Sequence, residues 1–287
     1  MKDHKKEFEQ NLLDLCQSLY EIQEEIAVSS EEIEEFQKKL VVVLPCGGES
    51  KRMAELAQQK HKTALTLPGG DTMLSRMIRC YAEQGAREFV LLVGIHAESV
   101  IQSTQSLCQG LKNINIQYSP DPEKPVGRGG AILHAIEKGL IPKDASIIVH
   151  NADDQIAGYP GNFYYDICRA HLAAQKQGGC ATAIVALLTS FAYTAMKVEK
   201  GKVIGMASKP QIPIPAHIGV SILSNEAQKR FKELFDYSRK KDFEEHLFPI
   251  LLEENKLYAF GIPGNTWYAV NTPKEYENFI KRLSEKI

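Results

Sequence analysis

The sequence lacks any Cys-x-x-Cys pair and any paired Cys/His spacing; its six cysteines, at 16, 46, 80, 108, 168 and 180, are scattered. That argues against a zinc site and a disulfide framework, and makes the reducing cytoplasm the simplest setting. No run of eighteen apolar residues is present to cross a bilayer, and the opening MKDHKKEFEQ lacks the apolar core of a secretory signal. Charge of one sign is not in excess either. With 34 Lys and Arg against 36 Asp and Glu, the formal net charge is -2, which disfavours a basic nucleic-acid groove. What is there, 44% hydrophobic and 24% charged residues, is the composition of an ordinary globular protein. A chain of 287 residues buries a substantial core as one large domain or two moderate ones.

Two familiar phosphate motifs are absent from the most informative stretch, LVVVLPCGGESKRMAELAQQKHKTALTLPGGDT at 40–72. The spacing is wrong for Walker A, and no third glycine follows Gly48 at the offset of a dinucleotide fingerprint. The apolar, β-branched run Leu40 to Leu44 nevertheless predicts a buried parallel strand, turning sharply at Pro45, Cys46, Gly47 and Gly48. Glycines there permit close backbone approach to a ligand, while Lys51, Arg52, Lys62 and Lys60 offer positive charge to an anion. Residue by residue, the loop reads either as a nucleotide or phosphate loop or as an ordinary strand end with solvated lysines.

Residues 1–39 precede that strand. Phe8, Leu12, Leu15, Leu19, Ile22 and Ile26 recur at helical spacing, and Ser29 with Glu32 fits a capping box for a second helix. This arm reads as a helical hairpin packed on the domain, or as a contact through which copies of the chain form a homo-oligomer. Its glutamates at 31, 32, 34 and 35 read as a solvated face and a favourable helix start. Beyond the loop, helix and strand alternate: a helix over 72–84, a strand over 88–93, a helix around 96–107 and a strand over 114–118. Such a rhythm predicts an open, mostly parallel α/β sheet with ligands at the strand C-terminal ends.

Further candidates follow in order. Gly127, Gly129 and Gly130 start an apolar-striped helix, where backbone amides can face a phosphate, a base or sugar hydroxyls. The strand Ile147 to Val149 runs into His150-Asn151-Ala152-Asp153-Asp154; carboxylates at a sheet edge can hold Mg²⁺ against triphosphate oxygens, or simply make a turn. A hairpin over 195–207 precedes Ser208-Lys209-Pro210, and a short helix ending at Pro249, strands over 256–260 and 266–270, and a final helix after Thr272-Pro273 close the chain. Trp267 reads as a core or rim aromatic, and His96 as a surface histidine at the mouth of the crevice.

GGESKRM followed by KHKTALTLPGG resembles the N-terminal signature of the sugar-phosphate nucleotidyltransferases, GGxGTRL and then K-x-L-x-P. PVGRGGAI resembles the family's P-x-GT[AG]G[AS] segment, Asn151-Ala152-Asp153 its N-G-D step, Ser208-Lys209-Pro210 its E-K-P step, and WYAVNTP its W-x-D-[IV]-G-T-P ending. The resemblance covers residues 40–285. It implies a Rossmann-like, open, mixed but mostly parallel sheet of the GT-A-like nucleotidyltransferase type over 40–287, carrying the arm at 1–39. It further implies that Gly47, Gly48, Gly127, Gly129 and Gly130 approach the nucleotide and that Arg52 clamps the leaving phosphates. Lys62 and Lys209 then hold the reacting phosphates, and Asp153 binds Mg²⁺. Ser50 departs from the family's glycine, Arg128 from its threonine, Ser208 from its glutamate and Ala269 from its aspartate; Asn271 is the oxygen that can stand in for the last. The reaction implied joins a sugar 1-phosphate to a nucleoside triphosphate, with GTP or UTP favoured by the GRGGAI segment. Two other readings remain: a non-sugar acceptor such as phosphocholine, and a nucleotide-sugar-binding regulatory protein with impaired catalysis.

Overall fold

The computed structural model describes residues 26–285 apart from 106, 112 and 123. The first helix of the expected hairpin lies outside the described residues. Its second helix, α1 (Ser30–Gln37), forms as the capping box predicts: the Ser29 side chain accepts from Glu32 N, and the Glu32 carboxylate accepts from Ser29 N at 2.8 Å. Lys176 reaches back to Glu32, pinning α1 against the body.

The apolar run becomes β1 (Leu40–Cys46), which is paired along both edges and buried on both faces because a layer of helices covers each face of the sheet. β2 (Glu88–Val93) pairs with it in parallel on one side and β4 (Ser146–His150) on the other, with β3 (Asn115–Pro120) beyond β2. Three later strands extend the sheet: β6 (Ala181–Ala186), β11 (Ala216–Leu223) and β12 (Leu257–Ile262). The seven stand in the order β12-β6-β11-β4-β1-β2-β3, and only β11 in this sheet runs against its neighbours. This is the mixed, mostly parallel α/β sheet that the alternating pattern predicts.

Period-two alternation divides the core. Leu40, Val42 and Leu44 face α2 (Met73–Glu83) and α5 (Phe163–Lys176), packing with Leu74, Ile78, Tyr81, Tyr164 and Ile167. Val41 and Val43 face the opposite layer, where α4 (Gly127–Glu137) contributes Ile132, Ala135 and Ile136, joined by Phe231, Phe243 and Leu247. α3 (Ala97–Gln105) follows β2. A third cluster, with Met53, Leu65, Met73, Val270 and Phe279, ties the segment after the glycine turn to the last helix, α6 (Pro273–Ser284).

Short strand pairs complete the chain. β5 (Asp154–Ile156) pairs antiparallel with β13 (Trp267–Ala269), setting Ala269 opposite Asp154. β7 (Thr189–Ser190) pairs with β10 (Gln211–Ile212), and β8 (Thr194–Glu199) with β9 (Lys202–Ser208) in the hairpin expected from Glu199-Lys200-Gly201-Lys202. One expectation is corrected: Pro249 does not end a helix. A four-residue helix stops at His246, and Pro249 lies in the first turn of the next, Phe248–Glu253, where its missing N–H costs nothing.

No helix among the described residues is long and apolar enough to cross a membrane. Described cysteines 46, 80, 168 and 180 are free thiols. Burial pushes the Cys46 thiol up to about 12, so it is an inert core residue.

Candidate active site

The C-terminal ends of β1 and β4 open into a cleft of ≈ 630 Å³. Its walls include Gly47, Gly48, Ser50, Lys51 and Arg52 from the first loop, Lys62 from the segment after it, and Asp121 from the end of β3. Gly127, Arg128, Asn151, Asp153, Asp242 and Asn271 complete the side around β4. Parallel sheets place ligands at such ends because the loops leaving neighbouring strands diverge there.

Three segments far apart in sequence meet at one ammonium group. Lys62 Nζ donates to Asp153 Oδ2 and, at 2.9 Å, to Asn271 Oδ1. The same Asn271 oxygen accepts from Arg52 Nη2 at 2.9 Å. Strand pairing builds this meeting: Val270 N donates to Asp153 O at 2.9 Å, so the β5–β13 ladder carries Asn271 to the carboxylate. Asn271 is not the cap of α6. Thr272 accepts from Glu275 N as N-cap, while Glu275 accepts from the Asn271 backbone N–H, which leaves the Asn271 amide oxygen to the site.

Ser50, standing where the resemblance expects glycine, adopts a left-handed conformation with φ 55, the region glycine enters most easily. Its hydroxyl has a use of its own, accepting from Lys62 N at 3.0 Å. One side chain therefore couples the glycine turn to the lysine. Gly47 lies close to another wall of the cleft, since a Cβ there would stand 3.2 Å from Asp121 Oδ2. Burial raises the Asp121 carboxyl above its usual range, and that side chain has no hydrogen-bond partner among the described residues.

Behind Asp153, Asp154 turns inward. It accepts from Trp267 Nε1 at 2.9 Å and from Asn151 Nδ2 at 3.3 Å, and burial, reinforced by the Asp153 charge, raises its pKa. Trp267 is thus a rim aromatic that anchors a carboxylate. Room for the Asp154–Asn151 pair comes from a β-bulge in β11: Gly219 has φ +71, and a Cβ there would stand 2.3 Å from Asn151 Nδ2 and 2.4 Å from Asp154 Oδ2. Asn151 Oδ1 in turn accepts from Arg128 Nη1 at 3.1 Å.

A sequence profile of the nucleotidyl transferase family matches residues 40–286. The chain belongs to that family. It is similar to a mannose-1-phosphate guanyltransferase from Saccharomyces cerevisiae, 26% identical over 247 residues that make up 83% of this chain and 62% of the relative. A mannose-1-phosphate guanylyltransferase catalytic subunit beta from Danio rerio is 24% identical over 206 residues, 71% of this chain and 54% of the relative. The chain therefore matches little more than half the length of these curated relatives. Among solved structures, a UDP-glucose pyrophosphorylase complexed with UDP-glucose superposes with a TM-score of 0.64 at 16% identity, covering 86% of this chain and 99% of that one. That likeness carries the nucleotidyl transferase fold.

Within this family's fold, the structure brings Gly47, Gly48, Arg52, Lys62, Gly127, Asp153 and Asn271 to one cleft. Three expected residues lie elsewhere. Lys209 is exposed at the end of β9, its backbone N donating to Tyr193 O, and it is not among the cleft-lining residues. Gly129 and Gly130 are buried for packing: a Cβ on Gly129 would meet the Phe235 ring at 2.3 Å, and one on Gly130 would meet Val126 at 2.7 Å. Their smallness admits this chain's own side chains. Sequence reasoning also missed Asp121, Asp242 and Lys240, all lining the cleft. A carboxylate next to a strand-ending proline was the available signal for Asp121; nothing local marked the other two.

Proposed function

We infer that the chain transfers a nucleotidyl group from a nucleoside triphosphate to a sugar 1-phosphate, releasing pyrophosphate. The observation that carries this reading is the convergence of Arg52, Lys62, Asp153 and Asn271 at the cleft formed by the β1 and β4 ends. An oxygen of the acceptor phosphate attacks the α-phosphorus; the new P–O bond forms as the bond to the β-phosphate oxygen breaks. The acceptor is already an anion, so no side chain has to remove a proton. Catalysis then consists of alignment and of neutralising charge. Lys62, fixed by Ser50 and two oxygen partners, is preorganised to hold a reacting phosphate, and Arg52 is placed for the departing pyrophosphate.

The donor set at Asp153 and Asn271 fits Mg²⁺. Two hard oxygens already converge on one cation, the Lys62 ammonium, and Mg²⁺ characteristically takes one or two protein oxygens and completes its shell with phosphate and water. Bound there, the ion supplies charge neutralisation and orientation to the phosphates. Asp153 and Asn271 are the residues that would hold it. Among the described residues no group of three or more His, Cys, Asp or Glu forms a ready-made cage, so the ion would enter with the nucleotide.

GTP is the donor we favour. The curated relatives named above are guanylyl enzymes, and Asp121 presents beside Gly47 a half-buried carboxylate without a partner among the described residues. Such a group can accept two hydrogen bonds from adjacent donors on one base edge, a pattern that guanine offers. Residues 40–287 form the catalytic unit in this reading, with residues 1–39 an arm and the cytoplasm the setting. A panel of common triphosphates and sugar 1-phosphates, assayed with Mg²⁺ for pyrophosphate release, tests it. We expect release only when both substrates are present, with GTP the best donor; no product in either direction would return the chain to the regulatory reading.

A further inference from the structure

With Lys209 outside the cleft and Ser208 in place of the expected glutamate, neither of the side chains expected to read the acceptor is in position. A different pair occupies the wall near Asn151. Arg128 is the second residue of α4, and its guanidinium is held from several sides. Nε donates to Asp242 Oδ1 at 3.2 Å, Nη1 to Glu244 Oε1 at 2.6 Å and to Asn151 Oδ1 at 3.1 Å, and the Phe243 ring lies beneath it at 5.7 Å. The Arg128 backbone N–H is bound to Asp242 Oδ1 too, at 3.1 Å. A long, flexible side chain is thereby fixed before any ligand arrives.

Three atoms of this cluster remain unused: Glu244 Oε2, which is buried without a hydrogen-bond partner among the described residues, and two that belong to cleft-lining side chains. Among the described residues Arg128 Nη2 has no acceptor and Asp242 Oδ2 has no donor, while both side chains line the cleft. They are a donor and an acceptor on two ion-paired side chains of one wall. Charge decides what such a surface takes. Two carboxylates, Asp242 and Glu244, surround one guanidinium, so the cluster carries no excess positive charge with which to hold a phosphate. Arg52 and Lys62 supply that elsewhere in the cleft lining. A hydroxyl, which donates and accepts at once, matches the open pair, and neighbouring hydroxyls on a ring match it best.

We propose that Arg128 and Asp242 form the hydroxyl-reading wall of the acceptor pocket, selecting a polyhydroxylated acceptor, with Glu244 and Asn151 as the residues that position the guanidinium. The proposal rests on the nucleotidyl transfer inferred above and deepens it. It also separates two acceptor classes: a sugar 1-phosphate can satisfy both open atoms, whereas phosphocholine, without hydroxyls, leaves them unpaired.

The test is steady-state kinetics of the wild-type chain, Asp242→Asn and Arg128→Lys on the best sugar 1-phosphate, its monodeoxy analogues and phosphocholine, with melting temperatures to verify folding. Asp242→Asn keeps the oxygen that holds Arg128 and turns the open acceptor into a donor. We expect its KM for the sugar phosphate to rise at least about tenfold, by more than kcat falls and with nucleotide KM little moved. The wild type should lose at least about tenfold in kcat/KM on one deoxy analogue, a penalty that the variant no longer shows. Arg128→Lys keeps the charge but not the fork and should resemble the asparagine variant. Equal acceptor KM and equal deoxy penalties in wild type and Asp242→Asn would overturn the proposal while leaving nucleotidyl transfer intact. Preferred turnover of phosphocholine would do the same. If no acceptor is turned over and titration detects no sugar phosphate binding to the nucleotide complex, the parent reading falls with it.

Discussion

The half of the molecule before Asp154 and the half after it are built differently. Through β1, β2, β3 and β4 the chain repeats strand, loop and helix, and each loop leaves a strand that is paired on at least one side in the seven-stranded sheet. In the later half, β5, β7, β8, β9, β10 and β13 pair only with one another in two-stranded ribbons. The β8–β9 ribbon leaves Met196, Val198, Val203 and Met206 largely exposed along one face. A side chain on a loop between buried strands inherits its position from the sheet. One beside the β8–β9 ribbon does not, while the β5–β13 ribbon, tied to Asp153 through Val270 N, does place Asn271. Of the residues expected from motif spacing, Arg52, Lys62 and Asp153 of the first half line the cleft, as does Asn271 of the second, whereas Lys209 does not.

Asp153→Asn is the strongest way to break that comparison. It removes the charge at the junction of the two halves, where the Lys62 ammonium rests, and turnover should drop at least about 100-fold. Asn271→Ala, the other partner of the same ammonium, should cost about 10-fold, and Asn271→Asp should lower the Mg²⁺ concentration needed for half-maximal activity by restoring a negative charge. Full activity in Asp153→Asn, measured across a Mg²⁺ series at saturating nucleotide, would remove this carboxylate from the centre of the site.

Glycines provide the next test, because they bear on which half owns the second glycine cluster. Gly127 has φ +76, and a Cβ there would stand 2.6 Å from the Lys241 backbone; Gly129 would drive one into the Phe235 ring. Both clashes are with the later half of this chain. Gly129→Ala should therefore destabilise the fold by roughly 1–3 kcal/mol through overpacking, lowering the melting temperature with little effect on nucleotide KM in the folded fraction. An unchanged melting temperature with a raised nucleotide KM would hand Gly129 back to the ligand.

How far the sequence carried can be read from these same residues. Leu40 to Leu44 announced β1 because a strand covered on both faces needs no polar alternation, and Ser29 with Glu32 announced α1 because a reciprocal cap is a local device. Lys62 and Asp153 were legible because each sits close to the end of a buried strand or its loop. The roles of Asn271 and Arg128 depend on contacts spanning hundreds of positions, from Arg52 to Asn271 and from Arg128 to Glu244, and no local pattern encodes such pairings. Gly129 and Gly130 show the converse limit of a local motif. A glycine states only that something comes close, and the sequence does not say whether that something is a nucleotide or Phe235.

Buried histidines sharpen the comparison by a smaller amount. His150, at the end of β4, has both ring nitrogens engaged, by Tyr81 Oη at 2.9 Å and by Asp154 O at 2.6 Å. His171, on α5 against β6, has Nδ1 beside Thr182 Oγ1 at 2.9 Å, while its buried Nε2 has no partner among the described residues. Burial depresses its pKa from 6.5 to about 3. A histidine depressed in the folded state contributes fully above its unfolded pKa, and that contribution is lost as pH falls from about 6.5 towards the folded value, because the unfolded chain takes up the proton first. Relative to wild type, His171→Phe should therefore gain stability by about 1.4 kcal/mol for each pH unit between about 6 and 4, read by denaturant unfolding. A pH-independent difference would show that His171 titrates alike in both states.

Lys209 carries the smallest expected effect and bears most directly on the ribbon. It is exposed, lies outside the cleft lining and sits at φ 47, a left-handed conformation that costs an ordinary residue about 1 kcal/mol. If the ribbon stays where it stands during turnover, Lys209→Ala should change kcat/KM by less than about twofold, since no phosphate comes within reach of the lost ammonium. Lys209→Gly should leave activity equally untouched and relieve the backbone, raising stability by up to about 1 kcal/mol less the entropy that glycine costs. The alternative is a ribbon that swings over the acceptor, carrying Lys209 from the end of β9 to the sugar phosphate, and it makes the opposite kinetic prediction. Both variants would then raise acceptor KM about tenfold or more, whereas Lys209→Arg would keep it low. Kinetics of the three variants at saturating nucleotide decide between these outcomes, and a selective loss in the first two would mean that the later half reaches by motion the site which the first half reaches by construction.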